Sequence, residues 1–412
     1  MQLVAYGVQD VYLTGNPQTT FFKSIYRKHT NFSMECVKVD FKGSVGKNSR
    51  IVAKLPRKGD LVHDCFIKVN SHVLIGIGSP GDDLQQGNNP GHNMIDYIEL
   101  EIGGQLIDKH YGHWMEAHAE LTEESTSNSA QTNAMTLGNS GASRQTAGIT
   151  GKFRNTSFAG GVLVFSNSSS NNTLPDFYVP LRFWFCRNVG LSLPLVALQY
   201  HKVEIIIKLT DTKTADNVDS LWCNYIYLDT DERRRFAKVA HEYLIEQVQN
   251  QTFTVTRDTK LDLKLNFNHP VKELIWGRLD GAWGTMVEES GRFKCLGSTS
   301  TLGTAGNDQW QLKLNGHDRF EKQSLSYFTR YQIYKYHTSI PRTNELDCLA
   351  VYSFALKPEE HQPSGTCNFS RIDNAQLTCE NYSGTGGTLE IYAVNYNVLR
   401  IMSGMGGLAY SN

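Results

Sequence analysis

Four side chains in the stretch HYGHWMEAHAELT, namely His110, His113, Glu116 and His118, are of the types that hold zinc, which takes imidazole nitrogens and carboxylate oxygens. On a helix His110 and His113 would share a face, but His118 falls off that face. The HExxH motif is absent, and His241-Glu242 has Ile245 where its second histidine would stand. These histidines read as structural or surface groups, and no metal or other cofactor is expected. Gly76-Ile77-Gly78-Ser79-Pro80-Gly81 fits GxGxxG after the strand-like His72 to Ile75. A dinucleotide site needs a helix to open there, because its first N–H groups hold the pyrophosphate. The DDLQQGNNPG that follows cannot be that helix, so the run reads as a loop. GxSxG and Walker A patterns are also missing, which removes the commonest nucleophile and phosphate signatures. Arg233-Arg234-Arg235 could clamp a phosphate, but beside Asp231 and Glu232 it reads more simply as a solvated or interface-paired face. Sequons stand at Asn31, Asn155, Asn167, Asn171, Asn250, Asn368 and Asn381, and Asn155, Asn167 and Asn171 are the best placed for glycosylation.

The elements that carry these residues are organised around Leu193 to Gln247. Val203, Ile205, Ile207 and Leu209 alternate with Lys202, Glu204 and Lys208, the two-residue period of a half-buried strand. Trp222 to Leu228 reads as a second short strand, after which the period changes. Asp229, with Glu232 three residues on, resembles a capping box and predicts a short helix over about 231–241. Tyr243 to Thr256 then returns to strand. The chain is therefore expected to comprise an N-terminal arm (1–30), a first β-domain (31–230), a stiff connecting helix (231–241) and a second β-domain (242–412).

The arm contains the turn Gly15-Asn16-Pro17, the aromatics Phe21, Phe22 and Tyr26, and the basic Arg27 and Lys28. Its plainest reading is an ordered arm packed on the first domain; the alternative is an arm that anchors neighbours or an underlying layer. In the first domain Val37, Val39 and Phe41 alternate with charged residues, as do Ile98, Leu100 and Ile102 before Gly103-Gly104. His110 to Thr122 is expected to be helical, and Phe177 to Phe185 to resume the sheet. Residues 125–172, dominated by Ser, Thr, Asn and Gly, read as a long projecting loop. In the second domain Leu261, Leu263, Leu265 and Phe267 alternate with polar residues, and Val271 to Trp276, Leu312 to Leu314, Ser324 to His337, Ala350 to Leu356 and Leu389 to Ile401 add strands. Each half yields about seven short strands, the signature of sandwiches or jelly rolls.

Composition agrees with this division. A chain of 412 residues accommodates two sandwiches, and 40% hydrophobic residues with 11% aromatics supply two cores. The net charge of −1 argues against a mainly electrostatic partner such as nucleic acid. MQLVAYGVQD lacks the regions of a signal peptide, and no apolar run approaches the ~20 residues that span a bilayer. The cysteines at 36, 65, 186, 223, 295, 348, 367 and 379 include no CxxC pair and are expected to be reduced and mostly buried.

Several stretches together resemble one family. They are GVQDVYLTGNPQTTFFKSIYRKHTNF from Gly7, LPLVALQYHKVEIIIKL from Leu193, YIYLDTDERRRFAKVAHEYLIEQ from Tyr225, HPVKELIW from His269, YSFALKPEEHQPSGTCNFSRIDN from Tyr352 and YAVNYNVLRIMSGMGGLAYSN from Tyr392. In this order they are similar to the double jelly-roll major capsid proteins of large nucleocytoplasmic DNA viruses; 125–172 and 281–306 match weakly. The matching structural positions include Gly15, Asn16, Pro17, Phe21, Phe22, Arg233, Arg234, Arg235, His269 and Pro270. The resemblance implies an all-β fold of two consecutive eight-stranded antiparallel jelly rolls joined by a short helix. It implies a homotrimer with pseudo-sixfold outline that tiles an icosahedral shell, with 125–172 and 281–306 on the outer surface and the arm toward the interior. Further implied are minor capsid proteins and an inner membrane layer as partners, no direct contact with nucleic acid, assembly in the host cytoplasm, and glycans added outside ordinary sequons in some relatives.

Three other readings compete. A capsid paralogue used at special positions would share the fold. A carbohydrate-binding jelly roll would be revealed by a saturable hit on a glycan array. An enzyme on the same scaffold would show two carboxylates about 5–9.5 Å apart in a cleft. Neither of the last two explains why two sandwiches are fused in one chain.

Overall fold

The computed structural model describes residues 7–74, 90–123, 153, 157, 172–257, 260–279, 283, 293–297, 308–339, 341, 347–384 and 386–411. The Gly76–Gly81 run and most of 125–172 and 281–306, with Asn155, Asn167 and Asn171, lie outside the described residues.

Two barrels are wound alike from antiparallel strands. In the first, one sheet runs in the order Phe32–Val39, Val218–Leu228, Leu61–Val69, Leu193–Pro194, with Phe177–Pro180 also on Leu61–Val69. The facing sheet runs Phe41–Lys42, Arg50–Lys54, Val203–Leu209, Ile95–Ile102, Gln105–Tyr111. The second barrel repeats the scheme. His241–Val255, Gly387–Met402 and Pro270–Leu279 pair in that order, and Leu349–Ser353 adds to Pro270–Leu279; Leu261–Leu265, Ala375–Glu380, Gln309–Leu314 and His317–Asp318 form the facing sheet. In both barrels the first strand lies against the last, Phe32 opposite Leu228 and His241 opposite Ile401, which is the jelly-roll closure.

Alternation explains why these segments pair as they do. Along Leu261–Leu265 the odd positions are buried and the even ones exposed. The tight hairpins use one device in both barrels. Gly103 and Gly104 (φ +62° and +83°) turn the chain between Ile95–Ile102 and Gln105–Tyr111. Asn315 and Gly316 (φ +51° and +80°) do so between Gln309–Leu314 and His317–Asp318. Two successive residues with positive φ match the twist of the flanking strands, and Gly and Asn take that conformation most cheaply.

Several expectations are corrected. The helix of the first barrel runs Gly112–Thr122, because His110 and Tyr111 still pair with Ile98 and Tyr97 as strand. Only a glycine fits where the strand turns into that helix: a Cβ on Gly112 would stand 2.1 Å from the Ile95 carbonyl oxygen. This is not the only helical piece in the first half, since Pro90–Asn93 and Trp184–Arg187 each make a turn. The strand expected over Phe177 to Phe185 therefore ends at Pro180, and Phe183, Trp184 and Phe185 are all buried. Ser324 to His337 is not a strand beyond Ser324: Tyr327–Tyr331 is a π-helical turn that continues into the α-helix Gln332–Tyr336.

The joint also differs. The connecting helix is Thr230–Lys238, and the Asp229 carboxylate accepts the Thr230 N–H at 2.7 Å rather than closing a box with Glu232. No residue of this helix is buried, so it adds no core packing to the junction. Strands supply that packing. Ile275, Tyr392, Val394, Leu349 and Val351 of the second barrel join the core cluster of the first, while Leu274, Trp276, Ile391, Ala393 and Ala350, their neighbours in sequence, fill the second barrel's own core. Alternation thus gives one sheet two apolar faces, one for each core.

The cysteines are free, and Cys65, Cys223, Cys295, Cys348 and Cys379 are buried. The Cys65 and Cys223 sulfurs sit 3.2 Å apart on paired strands.

Candidate functional site

The features that stand apart from ordinary core packing are the seam between the barrels and the uncovered arm. The seam begins with the Gly112–Thr122 helix, which lies on the outer face of the second barrel: the Trp114 and Tyr392 rings are 5.2 Å apart, and the His113 Nδ1 bonds the Tyr392 hydroxyl. Backbone contacts continue it. Ser339 N donates to Leu121 O at 2.9 Å, Tyr200 N to Gly404 O at 3.0 Å, and the Trp283 indole to Ile95 O at 3.0 Å.

Glu246 is the polar centre of the seam. It is 3% exposed and accepts from Lys272 Nζ at 2.8 Å, with Arg187 Nη2 at 2.7 Å and His361 Nδ1 at 3.4 Å. Burial works to raise its pKa, but Arg187, His361 and Lys272 outweigh it and hold the carboxyl well below the usual range. Arg187 comes from the first barrel and the other three residues from the second, so the ion cluster ties one to the other. Beside it a cavity of about 380 Å³ is lined by Trp114, His118 and Leu121 from one side and Ile275, His337 and Glu359 from the other.

His337 follows the helix of the second barrel and is held between two carboxylates, Nδ1 3.0 Å from Glu359 Oε1 and Nε2 3.2 Å from Glu273 Oε2. Burial opposes its charge, yet the two acids push its pKa up to about 9. A folded pKa above the ordinary 6.5 contributes stability that is fully present below about pH 6.5 and is lost as pH rises through about 9. Urea midpoints measured from pH 6 to 10 are expected to fall across that window in the native chain and to lose this component in His337→Gln. Identical slopes for the two proteins would refute the assignment.

The histidines considered for zinc are dispersed among separate partners. His110 Nε2 lies 2.9 Å from Asp108 Oδ2, Glu116 bonds His92 at 2.7 Å, and His118 meets the Thr122 hydroxyl at 3.1 Å. Burial lowers the pKa of His113 to about 3, so that ring is neutral. Among the described residues there is no group of three potential metal ligands.

The arm is not packed on the first domain. Tyr12 is 91% exposed, Phe21 96%, Phe22 100% and Tyr26 87%. Gly15, whose N–H bonds Val11 O at 2.9 Å, ends a single helical turn, and Asn16 (φ +51°) and Pro17 lead away from it. Within the connecting helix Arg233 pairs with the buried Asp60 at 2.8 Å, Arg234 lies 3.9 Å from Asp231, and Arg235 is exposed. His269 takes φ +66° and donates its backbone N–H to Ser370 Oγ at 2.8 Å, and Pro270 opens a strand opposite Asn368. The Glu246 cluster was not singled out from sequence, because its four members come from distant segments.

Comparison with known proteins gives a consistent result. Residues 20–229 match the family model "Major capsid protein N-terminus", and residues 232–407 match "Large eukaryotic DNA virus major capsid protein". The chain is 44% identical to the major capsid protein of Pyramimonas orientalis virus and 37% identical to that of Paramecium bursaria Chlorella virus 1, in each case over 100% of this chain and 99% of the relative. Among solved structures, the PBCV-1 virus capsid superposes with a TM-score of 0.71 at 33% identity, covering 95% of this chain and 100% of that one. The Faustovirus major capsid protein shares the fold at 12% identity, with a TM-score of 0.66 over 96% and 94% of the two chains.

Proposed function

The chain belongs to the major capsid proteins of large eukaryotic DNA viruses, and from that premise we propose that its two barrels are adjacent walls of a trimeric capsomer. Its role is structural, as a subunit that tiles an icosahedral shell. One observation carries the capsomer reading: two like-wound barrels are locked along a packed seam into a single body, so three chains present six comparable walls. An obligate trimer of this kind should hide upward of roughly 2,000 Å² at each interface, with an apolar centre.

The proposal extends to the arm. Its exposed Phe21, Phe22 and Tyr26 beside Arg27 and Lys28 suit a layer beneath the shell, either minor capsid proteins or an inner membrane, met as particles assemble in the host cytoplasm. Carbohydrate at Asn155, Asn167 and Asn171 is part of the same reading, and an intact mass from virions equal to that of the bare chain would remove it.

Light scattering tests the core of the proposal. The purified chain at micromolar concentration is expected to have three times the monomer mass, with or without residues 1–30. A stable monomer would overturn the trimer, and a trimer that needs the arm would overturn the assignment of the arm to an underlying layer.

A further inference from the structure

In the second barrel, the outward face of the Gly387–Met402 sheet is covered by the helix that the first barrel inserts between its Gln105–Tyr111 and Phe177–Pro180 strands. The first barrel has the same sheet order and the same two-sidedness. Leu221, Cys223, Cys65, Ile67, Phe177 and Val179 face its core. Trp222, Phe66 and Tyr178 alternate with them and face out, Trp222 opposite Phe66 across the ladder and the Phe66 and Tyr178 rings 5.5 Å apart. This stripe crosses three strands, and at its edge Met34 is 49% exposed and Tyr178 44%.

The second barrel carries the counterpart of the covering helix. Its π and α turns, Tyr327–Tyr331 and Gln332–Tyr336, occupy the corresponding place in the chain, between His317–Asp318 and Leu349–Ser353. The Gly112–Thr122 helix is buried along nearly its whole length, whereas Tyr331 is 50% and Tyr334 85% exposed. Among the described residues, each chain therefore leaves one sheet face, an aromatic stripe with Lys38 across from Trp222 and Lys68 across from Tyr178, without a covering helix, and one aromatic helix without a covering sheet.

We propose that the outer face of the first barrel, centred on Trp222, Phe66 and Tyr178, seats the second barrel of the next copy through Tyr331 and Tyr334. The inference rests on the trimer reading and specifies which surfaces make it. The contact is head-to-tail, and such a contact closes into a ring when its rotation repeats a whole number of times. Within the chain the first barrel's helix covers the second barrel; between chains the second barrel's helix covers the first. Three copies then make six contacts of one design.

The test is site-directed cross-linking in a Cys36→Ser background, which removes an exposed native thiol on the neighbouring strand. The double variant Tyr178→Cys/Tyr334→Cys, treated with a short bis-maleimide, is expected to give covalent dimers and trimers on a denaturing gel, and neither single variant should do so. A double variant that is trimeric by light scattering yet stays uncross-linked overturns the proposed surfaces while leaving the trimer standing. A native chain that is monomeric overturns the trimer itself and this contact with it. Separately, Tyr334→Glu is expected to raise the concentration at which half the trimer dissociates by about ten-fold or more, as for a central aromatic at an interface, with the far-ultraviolet circular dichroism unchanged. An unchanged dissociation concentration in that variant also overturns the contact.

Discussion

Glu246→Ala is expected to remove about 3 kcal/mol of folding stability, because it strands the buried Lys272 ammonium, and with it one partner of the more exposed Arg187, rather than merely deleting a contact. Lys272 is 1% exposed, and its ammonium sits 2.8 Å from the carboxylate that would be lost. Arg187 reaches the other oxygen of the same carboxylate, Oε2 at 2.7 Å, from the first barrel. Glu246→Gln keeps the shape but not the charge, and should recover only part of the loss. The control lies four residues away: Glu242 pairs with Arg400 at 2.9 Å, but both are about half exposed, so Glu242→Ala should cost under about 1 kcal/mol. Linkage adds a pH signature. The carboxyl is depressed in the folded state, so its stabilisation is present above its ordinary value near 4.5 and is lost as pH falls below it. Acid titration of the urea midpoint should lack this component in Glu246→Gln. Equal losses for Glu246→Ala and Glu242→Ala would show that the cluster does not hold the barrels together.

Trp276→Ala is expected to cost about 3–5 kcal/mol, the range for removing a large aromatic from a packed core. Trp276 is 1% exposed and packs 5.7 Å from Trp310 and 5.3 Å from Phe328, ring centre to ring centre. Its neighbours Ile275 and Gly277 meet the other side of the sheet, so the void cannot close without disturbing the seam. Among the described residues the Trp276 indole N–H meets no acceptor. Trp276→Phe therefore removes an unsatisfied donor along with some area, and its loss should be under half that of the alanine variant. Denaturant unfolding followed by circular dichroism would decide the matter; a phenylalanine variant as unstable as the alanine one would mean that the indole nitrogen is satisfied after all.

How much of this was legible depended on whether one period dominated a segment. Where apolar and polar residues alternate strictly, as in Leu261–Leu265, strand and buried face both follow from the sequence. Ser324 to His337 misled because its aromatics suit strands, yet Leu325, Phe328, Thr329, Gln332 and Ile333 are the buried positions and fall three and four apart, the helical spacing. Phe183, Trp184 and Phe185 are all buried, so alternation there carried no information. The capping signal at Asp229 located the connecting helix, but the residues that fix the junction, Arg187, Glu246, Lys272 and His361, share no local pattern. A paired ion cluster is a property of three-dimensional proximity, which spacing along the chain does not encode. The plainer reading of the arm failed for a related reason: its apolar residues have the composition of a packed segment, and only the fold shows that Tyr12, Phe21, Phe22 and Tyr26 stand exposed.

The closure of each barrel by its first and last strands bears on synthesis. Phe32 finds its partner only when Leu228 has left the ribosome, and His241 waits for Ile401. Until then each nascent half exposes an unpaired strand edge that another copy could pair with. Chaperone demand should accordingly peak twice per chain, once as each closing strand emerges.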